Sequence, residues 1–170
     1  MPIDNCQHSF EVLTETVLPA HFARLEQAIQ QAIPATRFAG PRSATRQALA
    51  AADRTSDFPG CYVFISEGKP MYVGISRSVI NRLTQHLNQV SHYSASLVYR
   101  MSSDDYPHEM KRDQAMKDDK FKEVFLTNQQ KLQGMRVAFV EIPNDLELYV
   151  FEVYASMKLN TEKGNTFRTH

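Results

Sequence analysis

Six side chains of this 170-residue chain have the types and spacing for acid–base and charge-stabilising chemistry: Tyr62, Tyr72, Arg82, His86, Glu152 and Asn165. A phenol can give or take a proton, and a neighbouring cation lowers its pKa toward the working range. A guanidinium grips the oxygens of a phosphate or carboxylate two at a time. An imidazole orients or relays a proton. Glu152 follows Leu148 and Tyr149, so its carboxylate leaves an apolar helix at a half-buried edge, where ionisation is costly unless a cation pairs with it. Each residue also has a plainer reading. Strand tyrosines are usually buried in the sheet. Arg82 and His86 could form a surface pair, Glu152 could pair with a Lys or Arg at a rim, and Asn165 could simply form a turn. Residue types alone leave both readings open.

Four of the six must be positioned by one stretch, Pro59–Leu87. Cys61–Ser66 is β-branched and aromatic enough for a strand, Gly68-Lys69-Pro70 supplies turn residues, and Met71–Ile75 is a second strand. Two such runs across a short Gly-containing loop predict a hairpin. Ser76 or Ser78 can cap the helix that follows, where Val79, Ile80, Leu83 and Leu87 form an apolar stripe. Tyr62, Tyr72, Arg82 and His86 then sit on three consecutive elements, close enough to converge. Further on, Met135–Ile142 predicts a third strand, ended by Pro143. Asn144 or Asp145 can cap a last helix to about Leu159. That helix is apolar on most sides (Leu146, Leu148, Tyr149, Val150, Phe151, Val153, Tyr154, Met157), which predicts a buried helix.

This layout resembles the GIY-YIG endonuclease family. Gly60-Cys61-Tyr62 stands where the first tripeptide belongs and Tyr72-Val73-Gly74 where the second does; Arg82 and His86 match the helix Arg and the His one turn later. The resemblance spans roughly Pro59 to Phe167, without the polar region in between. It implies an α+β fold, a small antiparallel three-stranded sheet flanked by helices. It also implies metal-dependent hydrolysis of DNA phosphodiester bonds. Glu152 would bind Mg²⁺ or Mn²⁺, its coordination completed by water and phosphate oxygen. Tyr62 or Tyr72 would activate water, and Arg82 would clamp the scissile phosphate. His86 would orient a Tyr or relay a proton, and Asn165 would hold the site together or touch phosphate. The chain departs from many members at Ile75, where they carry Lys; Arg77, two residues on, is the nearest substitute. A non-catalytic nucleic-acid-binding module of the same fold, or a nuclease acting on RNA, remains the alternative.

The rest of the chain sets bounds. Its 42% hydrophobic content supports a packed core, and its net charge is zero. Residues 35–100 nevertheless hold seven Arg and one Lys against three acids, a net of +5. Phosphate contacts are therefore expected there, from Arg77 and from Arg42 and Arg46 on the arm before the hairpin, with modest and salt-sensitive affinity. We divide the chain into a helical extension with a basic linker, 1–57, and a nuclease-like domain, 58–170, with a polar helical insertion at about 102–134. In the extension, Pro19 predicts two helices broken near Leu18, and 43–52 a short Ala-rich helix. In the polar region, Val98–Met101 reads as a strand end, and Phe121, Val124, Phe125 and Leu132 as the apolar face of a helix. No run is long enough for a membrane span, Met1–Asn5 does not begin a secretory signal, and Cys6 and Cys61 read as reduced thiols of a cytoplasmic protein. DNA is the expected partner. Specificity must come from the insertion, the N-terminal region, dimerisation or a protein partner; monomer and homodimer are both open.

Overall fold

The computed structural model describes residues 3–40, 45–88 and 91–167. In chain order the helices and strands are α1 (Phe10–Val12), α2 (Leu18–Gln30), β1 (Ile33–Pro34), α3 (Thr45–Ala51), β2 (Gly60–Ser66), β3 (Lys69–Ser76), α4 (Val79–Asn88), α5 (Ser96–Asp105), α6 (Arg112–Ala115), α7 (Asp119–Gln133), β4 (Arg136–Glu141) and α8 (Asp145–Lys158). The class is α+β. The sheet, however, has four strands in the order β1-β4-β2-β3, not the three expected. The added strand is only two residues, Ile33–Pro34, too short to show a period-2 pattern. Two compact units result, one of Met1–Ile33, Asp57–Val79 and Arg136–His170, the other of Pro34–Ser56 and Ile80–Met135. Among the described residues no helix is long and apolar enough to cross a membrane.

In the first unit, β2 lies between antiparallel partners. Tyr62 faces Gly74 on one side and Phe139 on the other, so these residues share a sheet face; Cys61, Ile75 and Val140 share the opposite face. That second face, with Val63, Val73 and Ala138, packs on Leu18 and Leu25 of α2 and on Leu148, Phe151 and Ala155 of α8. The N-terminal helix thus completes the sheet's core. A π-helical turn, Leu13–Val17, joins α1 to α2, with Pro19 in the first turn of α2 where no N–H is missed. The hairpin turn falls at Glu67-Gly68, one step earlier than expected. Both residues have positive φ, 50° and 77°, as a two-residue turn between twisted strands requires. Pro70 lies inside β3 next to an irregularity in pairing, and it is tolerated because β3 is an edge strand.

Helix α8 starts where expected: the Asn144 side chain accepts a hydrogen bond from the Glu147 N–H at 3.1 Å. It is not buried all round. Tyr149, Val153 and Met157, spaced by four, are 65%, 40% and 74% exposed. Its core stripe is Leu148, Phe151 and Ala155, which is all that a helix packed against one sheet face can bury. In its first turn, Glu147 takes His21 of α2 at 3.0 Å and His8 at 3.6 Å, holding the N-terminal segment and α2 to α8.

In the second unit, Val98–Met101 is not a strand end but the middle of α5. Val98 and Ser102, one turn apart, are buried, and the Ser102 hydroxyl donates to the Val98 carbonyl at 2.7 Å. Helix α5 packs against α7, whose Phe121, Phe125 and Leu132 are buried as expected; Val124 is half-buried. Asn88, at the end of α4, accepts from the Gly40 N–H at 2.6 Å and donates to the Phe38 carbonyl at 3.1 Å.

Candidate active site

The first unit holds Tyr62, Tyr72, Glu152 and Asn165. Tyr62 is 1% exposed and Tyr72 is half-buried; their ring centroids lie 6.1 Å apart at 57°. What brings them together is Gly74. It lies within β3 opposite Tyr62. A Cβ there would come 2.5 Å from Cζ and Oη of Tyr62 and 2.8 Å from Cε1 of Tyr72. The glycine leaves the space the Tyr62 phenol occupies. Gly74→Ala is therefore expected to drive both rings apart and to destabilise the fold by about 1–3 kcal/mol, the range for overpacking a tight site. Urea unfolding measures this; a stability equal to wild type would show the rings yield freely.

Asn165 has a defined structural task. Its Oδ1 accepts from the Val73 N–H at 2.9 Å and its Nδ2 donates to the Val73 carbonyl at 2.7 Å, as a neighbouring strand would. The Thr161 hydroxyl steadies Oδ1 at 3.0 Å, and Gly164 lets the chain close onto the Met71 carbonyl, where a Cβ would collide. The tail thus covers part of the outer edge of β3 and holds the backbone between Tyr72 and Gly74. Asn165→Ala would leave a strand N–H and C=O unpaired and is expected to cost about 1–3 kcal/mol in urea unfolding. Thr161 and Gly164 carry no signal of their own in the sequence, where a turn is the plain reading of Gly164-Asn165.

Glu152 leaves α8 half-buried. Burial raises its pKa above the ordinary carboxylate value, and among the described residues no cation is ion-paired with it. It lies close enough to Cys61, on the α8 side of the sheet, to act on it: burial first, then the Glu152 charge, push that thiol far up. Cys61 is consequently an inert free thiol, and Cys6 is likewise free and buried. The register puts Tyr62 on the opposite sheet face from Cys61. Glu147, the nearby acid, lies against two histidines and Asp145 against Arg77, which leaves Glu152 as the carboxylate of α8 without a cationic side chain paired to it among the described residues.

Arg77, at the end of the hairpin, is 79% exposed and paired with Asp145 at 2.5 Å. Arg46 is exposed on α3. Arg42 and the terminal His170 lie outside the described residues.

The second unit holds Arg82 and His86. Arg82 is pinned by three acceptors: Gln85 Oε1 at 3.1 Å, the Ser94 carbonyl at 3.0 Å and Ser96 Oγ at 2.7 Å. These fix its planar fork, and two of its five N–H groups remain beyond the three so used. His86 is fully buried. Burial first, then the charges of Arg82 and Arg100, lower its pKa to about 3, so the ring is neutral at ordinary pH. It is in a form to hydrogen-bond or orient, not to carry charge. Arg100, within α5, is a cation that the sequence does not mark as part of the site, since Val98–Met101 reads there as a strand end.

Comparison with known proteins adds little. No family model and no curated protein matches the chain. Among solved structures, a point mutant of the GIY-YIG N-terminal endonuclease domain of UvrC from Thermotoga maritima, bound to its catalytic divalent cation, is similar at 16% identity, over 75% of this chain and 99% of that one, with a TM-score of 0.38.

Proposed function

We propose that this chain is a divalent-cation-dependent phosphodiesterase that cuts DNA. The observation that carries the reading is Glu152, a half-buried carboxylate of raised pKa with no cation paired to it among the described residues. Among the described residues no three His, Cys, Asp or Glu side chains are grouped as a metal site. A cation at Glu152 would therefore draw its other ligands from water and phosphate oxygen, as Mg²⁺ or Mn²⁺ does and structural zinc does not. When bound, such an ion supplies charge for the phosphate and acidifies water.

The side chains of the chain do the rest. We assign Tyr72, half-buried where Tyr62 is sealed, as the phenol that takes a proton from water; it shares the Tyr62 face of the sheet, opposite the face packed on α8, and Tyr62 packs behind it over Gly74. Asn165 positions both by gripping Val73. For Arg82, in the other unit, we propose a phosphate-clamping role through the N–H groups left after its three internal hydrogen bonds. His86, neutral, orients.

The test is nicking of supercoiled plasmid at low salt with Mg²⁺ or Mn²⁺. Arg82→Ala and Glu152→Ala are each expected to lose about a hundredfold or more in rate, typical of removing one charge-stabilising group. Equal activity in all three proteins would refute the assignment. Binding of DNA without cleavage by wild type would point to a non-catalytic module, and cleavage of RNA alone would move the substrate.

A further inference from the structure

The second unit contains a pocket that the proposed hydrolysis does not use. His92, Met116, Lys122, Phe125 and Leu126 line a cavity of about 380 Å³ between α6 and α7 and the turn before α5, a size in the ligand-site range. One wall is held rigidly. His92 is 8% exposed, its Nε2 is 3.1 Å from Asp113, and its ring is flanked by Tyr93 at 4.1 Å and Tyr99 at 5.7 Å. Tyr99 is in turn fixed by Phe121 at 5.3 Å and by the Arg112 guanidinium 4.7 Å above its ring. At the rim, Tyr93 and Leu126 are 63% and 51% exposed. Asp113 faces His92, and Asp119 lies 3.6 Å from Lys122.

A preformed aromatic wall, an apolar floor and one ammonium suit a flat ring carrying an anion. A nucleobase on its phosphate has that form, and a base stacks on any aromatic face without prior ordering of the protein. An aliphatic side chain of a protein partner would fill the floor but use neither the ring of His92 nor the charge of Lys122. We infer that this pocket takes one unstacked base of the nucleic acid, lying against His92, with Lys122 at its phosphate and Tyr93 offered to the next base. The inference rests on the phosphodiesterase reading and gives it a substrate class. Because lifting a base from a duplex costs unstacking energy, single strands and bulged duplexes are preferred over perfect duplex.

The experiment uses the full chain in EDTA, so that nothing is cut, with DNA carrying 2-aminopurine either as a single-base bulge or fully paired. Wild type should bind the bulged duplex about tenfold more tightly, the effect of one stacked base, and quench its fluorescence. Leu126→Trp, which fills the pocket from its exposed rim, and Lys122→Ala should both lower bulge affinity to that of duplex; Leu126→Trp should also abolish the quenching. Unchanged melting temperatures check that the variants fold. Retained preference and quenching in both variants would overturn the inference. So would capture of a Leu- or Phe-containing peptide that bulged DNA fails to displace. Plasmid nicking with no bulge preference sinks this inference alone, whereas absence of both binding and nicking sinks the phosphodiesterase reading with it.

Discussion

Glu152→Gln is expected to raise the melting temperature of the metal-free protein at neutral pH while abolishing its response to Mg²⁺. The sign follows from the raised pKa of the carboxylate. A group whose folded pKa lies above its unfolded value is harder to ionise in the fold. At pH above both values it therefore subtracts from stability, and the penalty is relieved as pH falls through the folded pKa. Gln keeps the shape and removes the charge, so the gap between variant and wild type should be widest at neutral pH and close on acidification. A cation at Glu152 acts in the opposite direction. It stabilises the ionised form, and at ten times its dissociation constant mass action adds about 1.4 kcal/mol. For a chain of this length that is a rise of roughly 3–6 °C in wild type and none in the variant. An equal Mg²⁺ shift in both proteins would remove Glu152 as the ligand. A variant less stable than wild type without metal would show that its carboxylate is paired in the fold after all.

The hairpin was legible because two signals agreed: β-branched and aromatic runs on both sides, and a Gly-containing turn between them. Its register was not, since Pro70 reads as a turn residue until the edge position of β3 is known. The same limit hid the reason for Gly74. A strand glycine can mean a bend or a close approach, and only the pairing Tyr62 to Gly74 shows that the space is filled by a phenol. Composition misled in α8, where counting apolar residues predicts burial, yet a helix lying on one sheet face leaves Tyr149, Val153 and Met157 in solvent. It misled again at Val98–Met101, where one β-branched residue weighed more than packing against α7. The sequence singles out Glu152 as the acid of an apolar helix after the last strand. What separates it from Glu147, five residues earlier, is that His21 and His8 take up Glu147, a contact over more than a hundred residues of chain that no local pattern carries.

His86 should make the protein acid-sensitive well above the range in which carboxylates titrate. Its pKa is lowered from 6.5 to about 3, first by burial and then by Arg82 and Arg100. The unfolded chain therefore binds a proton below about pH 6.5 that the folded chain refuses until about pH 3. The stability linked to the neutral ring is fully present above pH 6.5 and is lost as pH falls, at about 1.4 kcal/mol per unit. Between pH 6.5 and 5 that amounts to about 2 kcal/mol, a large share of an ordinary domain's stability. Urea unfolding across this window measures it, and His86→Gln, polar but without a proton to gain, should flatten the profile relative to wild type. The same slope in both would mean that His86 charges in the fold, and the ring would then be a third cation beside Arg82 and Arg100. The two outcomes separate mechanisms as well. On the proposed reading, a neutral His86 would leave charge compensation at the phosphate to Arg82, so plasmid nicking should lose far more from Arg82→Ala than from His86→Gln, and nicking by His86→Gln should need no more acid than wild type.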